Sequence, residues 1–307
     1  MDWVTELDKW AADYLPDLRI AAEEPMARHT SFRIGGPARR MAFPESGEQM
    51  VLLLSFAREC GARPLVIGNG TNLLAPDGGL DRLVIAAAGL RRVEAGPDPD
   101  TVLAEAGATL AQTAEFACKL GLTGLEFAHG IPGTVGGAVY MNAGAYGGEM
   151  GQVVQGVSVL FPEEGVRCIP GGEMAFSYRR SLLSDHPEAA VLHVVFHLSP
   201  GDPAAIREKM RELMARRKAS QPLEHPSAGS TFKRPEGHFA GALIQQCGLK
   251  GLTVGGAQVS EKHAGFLINR GGATCRDVLA LIRQVQERVL AETGVLLEPE
   301  VRILEED

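Results

Sequence analysis

The chain has 307 residues, with 30 Lys plus Arg against 38 Asp plus Glu, a formal charge of −8 and 45% apolar residues. That composition is globular and excludes a disordered or collagen-like chain; at roughly 100–200 residues per domain it predicts two or three units. The acidic balance argues against nonspecific binding to nucleic acid or anionic lipid, both of which select a basic face.

Trp3, Leu7, Trp10 and Tyr14 recur at helical spacing and predict a helix over residues 2–15. Asp2, Glu6, Asp8 and Asp13 in this stretch rule out the basic start of a signal peptide. A second helix is predicted over 47–61, on Val51, Leu54 and Cys60, and a short apolar strand over 64–67. That strand runs directly into Gly68-Asn69-Gly70-Thr71-Asn72. Strands near 82–86, 91–95 and 101–106 precede a helix over 109–120.

Residues 127–148 then run 22 positions without Asp, Glu, Lys or Arg, long enough for a membrane helix. Seven glycines, Pro132, His129 and Asn142 make the stretch poorly hydrophobic, so it reads as a buried glycine-rich cradle. Strands near 153–161 and 191–198 follow, the latter nearly all apolar. Asp202-Pro203 is a good helix start and opens a helix to about 219, with Ile206, Met210, Leu213 and Met214 on one face. Its Arg207, Lys209, Arg211, Arg216, Arg217 and Lys218 read as a solvated face, and a domain boundary is placed before it. Thr274-x-x-Asp277 starts the last helix, Gly294 stops it, and a terminal strand is expected over 298–304.

Several chemistries are absent. There is no Gly-Lys dipeptide and so no Walker A loop, and no GxSxG, HExxH or zinc spacing, so no metal site is expected. The cysteines, Cys60, Cys118, Cys168, Cys247 and Cys275, lie 58, 50, 79 and 28 residues apart, with no disulfide framework, which points to a reduced, cytoplasmic setting. Glycine is in excess, 37 of 307, about 12% against a usual ~7%. Gly68-x-Gly70 lacks the third glycine of a dinucleotide fingerprint, because Leu73 stands there. Its converging main-chain N–H groups still suit an anion such as a pyrophosphate. Gly130-Ile131-Pro132-Gly133-Thr134-Val135-Gly136-Gly137 is a poor helix or strand but a good lining for a flat aromatic cofactor. These cradles alone also fit another FAD-dependent oxidoreductase acting on a small hydroxylated substrate, or a non-catalytic nucleotide-binding protein.

Residues 125–147 resemble the signature of the UDP-N-acetylenolpyruvoylglucosamine reductase family, flavoenzymes of peptidoglycan precursor synthesis. Further family-like blocks follow in order: Thr30-Ser31-Phe32-Arg33-Ile34-Gly35-Gly36, Tyr178-Arg179-Arg180-Ser181, Ser227-Ala228-Gly229-Ser230-Thr231-Phe232-Lys233, Lys262-His263-Ala264-Gly265-Phe266 and Glu298-Pro299-Glu300-Val301. The resemblance implies an α+β fold: a two-part FAD-binding module of the vanillyl-alcohol-oxidase type over 1–85 and 86–201, and a smaller substrate-binding domain over 202–307 whose last strand can pack back on the module. The short connection from Arg179 to the strand at 191 resembles the type II branch. Departures are His129 where Ala, Ser or Cys is familiar, Thr71 for Ser and Gly265 for Asn.

The resemblance also implies non-covalent FAD, although His129 invites a covalent link. It implies NADPH as hydride donor, a UDP-N-acetylglucosamine enolpyruvate substrate, a cytoplasmic location and no membrane or obligate protein partner. By the same likeness FAD would be held by Arg33, Gly68, Asn69, Gly70, Thr71, Asn72, Gly130, Pro132, Gly133, Thr134, Gly136 and Gly137. Arg179 would bind the enolpyruvyl carboxylate, Ser230 would donate a proton, and Glu300 would assist in its protonated form. If Glu300 faces the flavin, Glu298 points to the opposite face of the strand. Tyr178, Lys233, Arg234, Lys262 and His263 would contact the substrate, Lys233 and Arg234 its diphosphate.

Overall fold

In the computed structural model, which describes residues 2–306, helices form where apolar residues recur at helical spacing and a polar residue stands ready to cap. Helix α1 (Trp3–Tyr14) buries Val4, Leu7 and Ala11. Helix α2 (Gly47–Glu59) begins at Ser46, whose hydroxyl accepts from Gln49 N at 3.2 Å. Helix α3 (Leu110–Lys119) opens with a reciprocal Thr109–Gln112 capping box. Helix α4 (Val135–Tyr140) lies inside the glycine segment, where the sequence argued against a helix. Ala138 and Val139 are buried there, and packing outweighs the poor propensity of Gly136 and Gly137. Helix α5 (Pro203–Ser220) starts as expected, with the Asp202 carboxylate accepting from Ala204 N and Ala205 N. Helix α6 (Ala240–Gln246) was not anticipated, and helix α7 (Cys275–Thr293) carries the Thr274–Asp277 box and ends at Gly294 with φ +73°.

The contacts divide the described chain into two interleaved units: one of 2–22, 40–69 and 82–216, the other of 23–39, 70–81 and 217–306. The division therefore falls within the last turn of α5, between Arg216 and Arg217, rather than before the helix, and two early segments join the C-terminal part. In this division segments far apart in sequence belong to one unit.

The first unit has two apolar cores. One gathers Leu7, Leu53, Leu54, Leu83 and Ile85 beside those parts of a sheet ordered Arg19–Pro25, Pro37–Phe43, Leu80–Ala86, Leu65–Ile67 that lie in this unit. The last pair is parallel, with Leu65 opposite Val84. The other core gathers Val102, Leu110, Val139, Val159, Val194 and Phe196. It covers an antiparallel sheet ordered Gly165–Pro170, Val154–Phe161, Ala190–His197, Thr101–Glu105, Val93–Ala95. The second unit sets α7, through Val278, Ile282 and Val285, against an antiparallel sheet ordered Ser227–Ser230, Phe266–Asn269, Ala257–Val259, Thr253–Val254.

The terminal strand is shorter than expected: only Arg302–Ile303 pairs, in parallel with Leu73–Leu74. Pro299 has no N–H to give a ladder, so it contributes a single bridge to Phe232. Among the described residues no helix is long and apolar enough to cross a membrane.

Candidate flavin and substrate site

In the first unit the end of the Leu65–Ile67 strand meets the glycine segment before α4. A methyl group at Gly68 would stand 2.1 Å from Thr134 Oγ1, so only glycine fits that approach. Asn69 Nδ2 donates to Pro132 O at 3.4 Å. The two glycine segments, 62 residues apart from Gly68 to Gly130, thus form one feature. Thr134 is 2% exposed, and its Oγ1 is buried without a hydrogen-bond partner. It stands at the N-cap position of α4 but makes no capping bond, so the hydroxyl is not used by the helix. His129 Nε2 lies 3.2 Å from Glu115 Oε1, while its Nδ1 is buried without a partner.

Also in the first unit, Tyr178 and Arg179 occupy the corner of a tight turn. Ser177 N donates to Arg180 O at 3.0 Å, and Arg180 N donates back to Ser177 O at 3.1 Å. Arg179 has φ +57°, a left-handed backbone rare for a residue with a side chain. Its guanidinium lies over the Tyr178 ring, 5.0 Å from the centroid. Arg180, the adjacent arginine, is bound to Asp185 at 2.5 Å.

In the second unit Ser230 ends the Ser227–Ser230 strand and is exposed. Thr231 fixes its neighbour: Thr231 N donates to Gly265 O at 2.8 Å, and its hydroxyl accepts from Leu267 N at 3.1 Å. Glu300 N in turn donates to Thr231 O at 2.7 Å, and Lys233 N donates to Glu298 O at 2.8 Å. The segments carrying Ser230 and Glu300 are therefore paired side by side. Asn72 Nδ2 donates to Glu300 O at 3.1 Å, so Asn72 clamps the Glu300 backbone, a role the sequence did not disclose. Gly70 supports this loop, with φ +59° and a missing Cβ that would sit 2.0 Å from His29 O. Arg33 is exposed on the neighbouring turn, and Ser31 N donates to Gly70 O at 3.1 Å. Thr71 sits between the two anchored residues and is half-buried.

The basic candidates are arranged unevenly. Lys233 Nζ is 3.1 Å from Glu298 Oε2, and the Arg234 guanidinium lies 4.0 Å from the Phe239 ring centroid. Lys262 Nζ donates to Lys218 O at 2.7 Å and lies 3.8 Å from Glu224. Burial pushes the His263 pKa down, which favours a neutral ring, and its Nδ1 accepts from Gly265 N at 3.2 Å.

Residues 221–304 match the C-terminal domain of UDP-N-acetylenolpyruvoylglucosamine reductase, and residues 38–168 match an FAD binding domain. A UDP-N-acetylenolpyruvoylglucosamine reductase of Pediococcus pentosaceus is 46% identical over 98% of this chain and 99% of its own. The chain belongs to the UDP-N-acetylenolpyruvoylglucosamine reductase family. Another such reductase, of Caldanaerobacter subterraneus, is 47% identical over 96% of each chain. A crystal structure of the UDP-N-acetylenolpyruvylglucosamine reductase of Thermus caldophilus superposes with a TM-score of 0.79 at 36% identity, covering 94% of this chain and 99% of that one. The α+β architecture expected for the family is the one observed.

The residues of the first unit fit FAD. The Gly68–Thr134 approach leaves no side chain in the cradle, and the orphaned Thr134 hydroxyl supplies a buried polar group for a bound molecule to satisfy.

Proposed function

We propose that this reductase converts UDP-N-acetylglucosamine enolpyruvate to UDP-N-acetylmuramate with NADPH as reductant, acting in the cytoplasm where both are made. The observation that carries the reading is the glycine cradle with its unpartnered Thr134 hydroxyl, in a chain 46% identical over 98% of its length to a UDP-N-acetylenolpyruvoylglucosamine reductase. When bound, FAD supplies the hydride, taken from NADPH and delivered to the terminal carbon of the substrate's double bond.

The rest is the work of this chain's side chains. Arg179 binds the enolpyruvyl carboxylate, whose negative charge grows as the hydride arrives. Its fork of donors matches a carboxylate in two places, and the guanidinium keeps its charge. The Tyr178 ring beneath it restricts its swing. Ser230 donates a proton to the carbon that bears the ether oxygen. Glu300, protonated, hydrogen-bonds the developing charge and does not oppose it. Lys233 and Arg234 receive the diphosphate, for which Lys233 must exchange its partner Glu298. Gly68, Asn69, Gly130, Pro132, Gly133, Thr134, Gly136 and Gly137 line the flavin, and no residue is asked to bind it covalently.

The test is isotopic. With NADPH deuterated at the transferring position, whatever deuterium reaches product lies on the former terminal alkene carbon, the remainder being lost to solvent by exchange from the reduced flavin. Product made in heavy water carries deuterium on the carbon bearing oxygen and, through the same exchange, on the terminal carbon. Absence of product, NADPH-derived deuterium on the carbon bearing oxygen, or no solvent deuterium on that carbon contradicts the proposal.

A further inference from the structure

Four of the seven non-glycine residues with positive φ among the described residues fall within one stretch of the first unit: Asn142, Tyr146, Ala175 and Arg179, at +41°, +54°, +48° and +57°. Such conformations are strained and persist only where the surroundings impose them. In the turn of residues 177–180, Arg179 takes a position that ordinarily favours glycine or asparagine. Something outside the turn must hold it.

That something is Asn142, which is fully buried. Its Nδ2 donates to Ser177 O at 3.0 Å, the same carbonyl that accepts from Arg180 N. Both lone pairs of that oxygen are then engaged, and the turn is fixed at its first residue. Asn142 Oδ1 accepts from Gly151 N at 2.9 Å, so the amide cannot rotate away from Ser177 without breaking a second bond. Asparagine also tolerates the left-handed backbone found there. The far end of the turn is pinned by Ser181, 1% exposed, whose hydroxyl donates to Tyr140 O at 2.9 Å. Both anchors lead to one short element: α4 starts beside Thr134 of the flavin cradle, ends at Tyr140, and Asn142 follows two residues later.

We infer that Asn142 is a positioning residue for Arg179, setting through Ser177 O the orientation in which the guanidinium meets the substrate carboxylate. This rests on the proposed role of Arg179, and that role is checked on the unaltered enzyme before any variant is read: if NADPH and the enolpyruvyl substrate do not successively bleach and restore its flavin, the function fails, not the positioning.

Two variants dissect the clamp. Asn142→Gly suits the backbone and removes both side-chain bonds. Asn142→Asp keeps the size and the acceptor for Gly151 N, and removes the amide donor to Ser177 O. Both are expected to bind FAD and to be reduced by NADPH within about twofold of the unaltered rate. Reoxidation by saturating substrate should fall roughly 10–10²-fold in both, the scale set by ångström misplacement of a binding group. Amide exchange, a readout independent of turnover, should be at least about tenfold faster at Ser177 and Arg180 in both, since these amides report local opening. The inference is overturned if reoxidation stays within twofold, if Asn142→Asp restores it while Asn142→Gly does not, or if the two amides exchange at the original rate. Should Asn142→Gly not fold, Asn142→Asp decides alone by the same measurements.

Discussion

Thr134 shows how a single atom can report on a ligand. Its hydroxyl is buried and unpaired, and an unsatisfied buried group costs about 1–3 kcal/mol. Thr134→Val keeps the shape and removes that group. The flavin-free variant should therefore melt at or above the temperature of the flavin-free parent, while FAD, titrated by fluorescence, binds roughly fivefold or more weakly, the loss of about one hydrogen bond. A lower melting temperature with unchanged FAD affinity would assign the hydroxyl to the fold. Arg179→Lys preserves charge but not the fork, and losing a preorganised donor to developing charge costs ~10²–10³ in rate. Near-normal turnover in that variant would reassign Arg179 to structure. Ser230→Ala separates the half-reactions: reduction by NADPH needs no proton donor to carbon and should be unchanged, whereas reoxidation by saturating substrate should fall ~10²–10⁴-fold. Equal, modest changes in both phases would make Ser230 a loop residue only.

At the scale of elements, caps decide what can be read in advance. Helix α7 announces itself by Thr274 and Asp277, and the box forms: Asp277 N donates to the Thr274 hydroxyl at 3.1 Å, and Thr274 N to the Asp277 carboxylate at 3.0 Å. These bonds from the Thr274 and Gly256 amides hold the Asp277 carboxyl below its usual pKa of 3.8. A depressed carboxylate stabilises the fold fully above its unfolded pKa and loses that contribution as pH falls through the folded one. Thr274→Ala, which removes the hydroxyl that accepts from Asp277 N, should lower stability by about 1 kcal/mol in neutral urea melts; no difference at neutral pH would discount the box. Other elements gave weaker signals. Arg19–Pro25 and Pro37–Phe43 mix charged and apolar residues without clean alternation, so neither read as a strand. Helices α4 and α6 span 6 and 7 residues, too short for periodicity, and their glycines pointed elsewhere. The terminal strand is shorter than expected because Pro299 has no N–H to donate to a ladder and makes only a bridge to Phe232.

For the whole molecule, the family was legible where motifs are local, and the contacts that join distant segments were not. The glycine segments, Arg179, Ser230 and Glu300 stand in recognisable blocks. The clamps do not: Asn142 to Ser177 and Asn72 to Glu300 join residues 35 and 228 positions apart. The interleaved units have the same origin. Asp77 caps α7, accepting from Cys275 N at 2.7 Å and Arg276 N at 3.1 Å, and Ser31 donates to Ser227 O at 2.6 Å. Burial, with Asp77 and Glu306 adding to it, pushes the Cys275 thiol up to about 11. A thiol reagent at mild alkaline pH should therefore modify exposed Cys168 in the native protein and reach Cys275 only on unfolding, as peptide mass mapping would show.

The most direct test of the account is an anaerobic absorbance experiment on the purified, flavin-loaded protein. NADPH alone should bleach the yellow band, and UDP-N-acetylglucosamine enolpyruvate added next should restore it, one equivalent of UDP-N-acetylmuramate forming for each flavin reoxidised. A flavin that NADPH leaves oxidised, or that stays bleached with the enolpyruvyl sugar yet recovers on admission of oxygen, would contradict it.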